Sequence, residues 1–128
     1  MLLLRAILVN AYTRTITEVM IEEGTHPIYK ELSKDAAPVS DFTCVDLSVN
    51  ADGITQTAYV DGEGMFTQTE FIYFKGAPHP LAGSALILGT DMENGESASA
   101  SLTIDEVRDM VQFMSQIEVL AGCVVGDW

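Results

Sequence analysis

Basic residues are scarce. Six Lys and Arg stand against 19 Asp and Glu, a formal charge of −13. Binding to DNA, RNA or an anionic bilayer draws on cationic side chains that replace counterions, so the expectation is no direct nucleic-acid partner and no membrane partner. Cysteine is nearly absent: Cys44 and Cys123 are far apart and form no CxxC pair. Two reduced, buried thiols are expected, and whether the fold brings them together stays open. His26 and His79 add no ligand spacing to them, so no metal is expected. No hydrophobic run is long enough to span a bilayer. The apolar start, residues 1–9, has no basic stretch before it, is interrupted by Arg5, and lacks a small-residue cleavage site. It is expected to be a buried strand rather than a secretory signal.

What remains is the composition of one folded domain, spanning 1–128, with 48% hydrophobic and 20% charged residues. Residues 3–11 form an almost unbroken apolar run, as in a central strand covered on both faces. Residues 15–22, rich in Thr, Ile and Val, complete an opening hairpin. Thr25 is placed to cap a short helix with Pro27 in its first turn and Ile28 and Leu32 on one face. Residues 42–48 alternate, with Phe42, Cys44 and Asp46 to one side and Thr43, Val45 and Leu47 to the other. Strands over 55–60, 69–75 and 81–89 follow, separated by glycine turns. A surface loop is expected from Asp91 to Ser101.

Thr103 and Glu106 have the spacing of a capping box, with Leu102 and Val107 as the hydrophobic staple. Ile104, Val107, Met110, Val111, Met114 and Ile117 predict an amphipathic helix running to about residue 117. The tail, 117–128, is apolar enough for an edge strand. The expected fold is α+β: a mainly antiparallel sheet of about six strands, with one short and one C-terminal amphipathic helix on one face.

Candidate chemistry is thin. Cys44 with His26 or His79 has the parts of a nucleophile and base, but a mid-strand thiol in apolar surroundings is inert, so no catalytic residue is assigned. Asp61 with Glu63, and Glu22 with Glu23, are carboxylate pairs that so acidic a chain produces by chance. The run Asp91–Glu96 offers oxygen ligands, but its glycine falls at the fifth position rather than the sixth of an EF-hand loop, and it is expected to be a solvated loop. The most unusual segment is Gly76-Ala77-Pro78-His79-Pro80-Leu81-Ala82-Gly83. Its prolines preorganise His79, and its glycines admit a close backbone approach. Gly76, Pro78, His79, Pro80 and Gly83 are therefore candidate ligand-binding residues. Acids gathered on one face suit docking on a basic protein or imitation of a phosphate backbone. The candidates for that surface are Asp91, Glu93, Glu96, Asp105, Glu106 and Asp109.

Three stretches, Arg5–Asn10 with Thr15–Val19, Phe42–Val45 with Tyr59–Gly64, and Pro78–Gly83 with Leu86–Asp91, together resemble a family of short uncharacterised proteins carried by phages, prophages and plasmids. The resemblance covers most of the chain and brings no catalytic residues. It implies a mobile-element accessory protein in the cytoplasm of a bacterial host, a setting in which small proteins often blunt host defence. The resulting expectation is a non-enzymatic binding protein without a cofactor. Its partner would be a host protein with a basic surface, or a small nucleotide held by some of Arg5, Arg14, Lys30, Lys34, Lys75 and Arg108. The alternatives are a structural module that forms a homo-oligomer through its tail, and a small nucleotide-acting enzyme using Cys44 or His79.

Overall fold

The computed structural model describes residues 3–119. The fold is α+β and largely antiparallel. In chain order the elements are β1 (Leu3–Asn10), β2 (Thr15–Glu22), α1 (Thr25–Leu32), β3 (Phe42–Ala51), β4 (Ile54–Asp61) and α2 (Gly64–Thr67). Then come β5 (Glu70–Phe74), β6 (Leu81–Ala82), β7 (Ala85–Asp91), β8 (Ser97–Ala98), α3 (Ile104–Met110) and β9 (Val111–Ser115). The larger sheet has the order β2-β1-β7-β4-β3, with β8 adding to β7, and the smaller one has the order β6-β5-β9.

The two most apolar runs lie at the centre of the larger sheet, as strands covered on both faces must. Alternate residues of β1 and β7 feed opposite cores. Leu4, Ala6, Leu8, Leu86 and Leu88 meet Ile28 and Leu32 of α1. Ile7, Val9, Ala85 and Ile87 meet Ile72 and Phe74 of the smaller sheet and Val107 of α3. The helices thus sit on opposite faces, not on one. The second sheet takes up the area a longer C-terminal helix would have covered.

That helix is short because the chain changes period at Val111. The capping box forms as the sequence indicates: the Thr103 N–H donates to Glu106 Oε1 at 3.0 Å, and the Glu106 N–H to Thr103 Oγ1 at 3.1 Å. After Met110 the chain becomes β9, paired with β5 over all five residues. Val111 and Phe113 face the main core, while Met114 faces the outer side of the small sheet with Phe71. Backbone pairing and two-sided burial outweigh the helical spacing.

The expected strand 81–89 is likewise two strands in different sheets, broken at Gly83 (φ 83°), a left-handed conformation that favours glycine. The 91–101 loop holds β8, and the N-cap of α1 is Gly24 with no side-chain cap, Thr25 being its first residue. Cys44 is exposed, not buried core, because β3 is an edge strand. The expected C-terminal strand and the Cys44–Cys123 distance lie outside the described residues, apart from a helical turn at 116–119.

Candidate functional site

Two hairpin ends build a buried polar cluster. Asp61 closes β4, Gln68 precedes β5, and both are more than nine-tenths buried. Gln68 Nε2 donates to Asp61 Oδ2 at 2.9 Å and to the Ala37 carbonyl at 3.0 Å, while its oxygen accepts from the Tyr12 hydroxyl. Thr67 Oγ1 donates to Asp61 Oδ2 at 3.1 Å, and Asp61 Oδ1 accepts the Glu63 N–H at 2.9 Å. A carboxylate so supplied with donors is structural glue rather than a free base.

What this cluster braces is α2. Gly64 sits against Ala82 so closely that a Cβ there would lie 2.8 Å from the Ala82 carbonyl oxygen. The turn is fixed from below by Thr67 and Gln68, and it lifts Met65 and Phe66 into solvent, 67% and 92% exposed. Asp41 and Glu63, both exposed, flank it through the Gly62 N–H bond to the Asp41 carbonyl at 3.0 Å. A fully exposed Phe on a braced turn, with acids beside it, has the make-up of an interface anchor. The sequence signal was an apolar Met-Phe pair inside a polar, glycine-bounded turn, and reading it required knowing that the turn is not core.

The proline loop is dispersed. Gly76 and Pro78 line a cleft of about 290 Å³ with Asp46, Lys75 and Met110. His79 is exposed, its Nδ1 3.0 Å from the Pro80 carbonyl oxygen, while Pro80 and Gly83 are buried, the latter against Gln68.

The acids divide into two groups. Asp91 and Glu93 meet Asp52 around exposed Met92, because the Met92 N–H donates to the Gly53 carbonyl at 2.9 Å. Glu96 lies in the same turn, its N–H held by Asn94 Oδ1 at 2.9 Å. On α3, Glu106 is spent on the capping box, Asp105 pairs with Arg108 at 2.7 Å, and Asp109 is exposed.

Of the six bases, Arg14 and Arg108 share an open groove with Thr15, Ile16, Thr17 and Phe113. Arg5 is tied to Glu18 at 2.6 Å and to the Ala100 and Leu102 carbonyls, and Lys34 to Glu31 at 2.7 Å. Lys30 lines a third hollow with His26.

Cys44 is exposed as a residue, yet the strand around it desolvates the thiol enough to push its pKa above the ordinary value. Among the described residues no group of three or more His, Cys, Asp or Glu is placed to hold a metal ion. No described helix is long and apolar enough to cross a membrane. No protein-family model matches the chain, and no curated protein or solved structure matches it.

Proposed function

We propose that this chain is a non-enzymatic binding protein that inserts Phe66 and Met65 into an apolar pocket on a partner with a basic rim. The observation that carries the reading is Phe66, 92% exposed on a turn held by Thr67 and the buried Asp61–Gln68 pair. Leaving an aromatic ring in water forfeits its burial energy, and a braced turn loses little entropy on docking. Asp41 and Glu63 supply a negative rim, and the net charge of −13 steers a basic surface toward it. The resemblance to mobile-element proteins supports a bacterial defence effector as that partner and the host cytoplasm as the place of action. The nucleotide-capture variant has one support, the pair Arg14 and Arg108 in a shared groove.

The test is capture from bacterial lysate at low and high salt, with bound proteins and small molecules identified by mass spectrometry. Wild-type chain is expected to retain a basic protein that salt elutes, since charge steering is screened. Phe66→Ala is expected to lose it without a change in melting temperature. Equal capture by Phe66→Ala sinks the proposal, and a retained nucleotide with no protein moves the function to signal capture.

A further inference from the structure

The two edges of the larger sheet are built differently. On β3 the register with β4 shifts between Asp46 and Asn50, Ser48 has φ 59°, and its N–H is taken by Asp46 Oδ1 at 2.7 Å. Such a bulge blunts an edge against further pairing. On β2, all eight residues pair with β1 in unbroken register, and the strand, Thr-Ile-Thr-Glu-Val-Met-Ile-Glu, holds no Pro, Lys or bulge. Among the described residues nothing pairs with its outer edge.

We infer that the β2 edge pairs antiparallel with β2 of a second copy of this chain, each copy's Glu22 entering the Arg14–Arg108 groove of the other.

A two-fold axis normal to the sheet keeps each face on its own side, so the pairing must be centred on a residue. Centring on Glu18 sets Glu18 against Glu18, and centring on Met20 sets Glu18 against Glu22. Like charges directly opposite oppose pairing. Centring on Val19 places Glu18 opposite Met20, Thr17 opposite Ile21, and Glu22 opposite Ile16, with no acid facing an acid. It also uses nearly the whole strand.

The faces agree with this register. Ile16 packs toward the core shared with Phe113 and Met110, whereas Val19 and Ile21 face the α1 core. By alternation Glu18, Met20 and Glu22 lie on the Ile16 side. Glu22 of the second copy therefore arrives over Ile16, in the hollow of about 480 Å³ that Arg14, Arg108 and Phe113 share with it. Opposed Cβ atoms lie about 5 Å apart, within reach of both guanidinium groups. Their present partners, Glu118 at 3.6 Å from Arg14 and Asp105 at 2.7 Å from Arg108, are exposed pairs, and a guanidinium has donors enough for a second carboxylate. Met20, 54% exposed, is covered in the same step. This surface is separate from the Phe66 turn and stands whether or not that turn docks a partner.

Sedimentation and light scattering of the full chain, in a concentration series up to about 1 mM, test it. Wild type is expected to reach twice 13.9 kDa. Glu22→Arg and the pair Arg14→Glu with Arg108→Glu are each expected to weaken association by at least about tenfold. Glu22→Arg is expected to keep its melting temperature, and the double change, which loses the Arg14–Glu118 and Arg108–Asp105 pairs, to stay folded with a lower one. An equimolar mixture of the two is expected to recover the dimer, because every opposed pair is then of opposite sign. A wild-type chain that stays at 13.9 kDa overturns the inference, whether or not its groove takes up added pyrophosphate. So does a dimer that survives both variants, or a mixture that fails to associate.

Discussion

Asp61 Oδ2 and Gln68 Nε2, 2.9 Å apart, join the end of β4 in the larger sheet to the start of β5 in the smaller. The same amide reaches the Ala37 carbonyl, and its oxygen takes the Tyr12 hydroxyl, so one side chain ties four segments. Removing Asp61 leaves one buried N–H of Gln68 Nε2 without its acceptor, and takes an acceptor from the Thr67 hydroxyl and the Glu63 N–H as well. A buried polar group left unpaired costs about 1–3 kcal/mol, more beside a charge. Asp61→Ala is expected to lower stability by roughly 2–3 kcal/mol in urea unfolding. Gln68→Ala is expected to cost a similar amount, and the double variant less than the sum of the two. Strict additivity would show that the cluster does not act as a unit.

At the start of α3 the reciprocal Thr103–Glu106 bonds satisfy two of the donors a helix leaves open. Thr103→Ala is expected to cost about 1 kcal/mol in thermal or chemical unfolding. Thr103→Ser is expected to restore nearly all of it. If serine fails to rescue, the methyl group rather than the hydroxyl matters there.

That box was legible in the sequence because capping is local: four residues carry the whole signal. The hairpin of β1 and β2 was legible for a related reason, since an apolar run, a turn and a β-branched run fix it without reference to distant strands. The strand order was not. Cys44 sits in a sound alternating pattern, and alternation gives the face of a strand, not whether it has a neighbour on both edges, so the exposed edge position of β3 stayed hidden. Val111 to Met114 satisfies both helical and strand spacing, and only pairing with β5 decides between them. The break at Gly83 shows in the sequence as one glycine among small residues, with nothing to say that the chain changes sheets there. The Phe66 turn was missed for the opposite reason: an aromatic residue is assumed to be core until the surface is known.

Cys44 carries a prediction about reactivity. Desolvation raises its pKa, so at neutral pH the thiol stays protonated, and the thiolate is the species that alkylates. In a Cys123→Ser background, Cys44 is expected to react with iodoacetamide more slowly at pH 7.5 than a small free thiol does, and to speed up as pH rises past 9. Reaction faster than the free thiol at pH 7.5 would mean that an activating group sits beside it, and would reopen the enzyme reading.

Glu118 makes a pH-dependent contribution whose sign follows from its partners. The Ser115 N–H donates to its carboxylate at 3.2 Å, and that bond, with the Ser115 hydroxyl and then Arg14 at 3.6 Å, holds its pKa below the ordinary value of 4.5. The Glu118 N–H in turn donates to Ser115 Oγ at 3.3 Å, a second capping box at the 116–119 turn. A carboxyl with a depressed folded pKa stabilises the fold fully above its unfolded pKa and loses that contribution as pH falls through the folded value. Glu118→Gln is therefore expected to melt below wild type at pH 7, with the gap closing as pH drops below the ordinary glutamate range. The Glu118 side chain is 50% exposed, so solvent and salt screen the effect, and adding salt is expected to shrink the Arg14 part of it. A gap that stays constant from pH 7 to about pH 3 would mean that the glutamate acts through its shape rather than its charge.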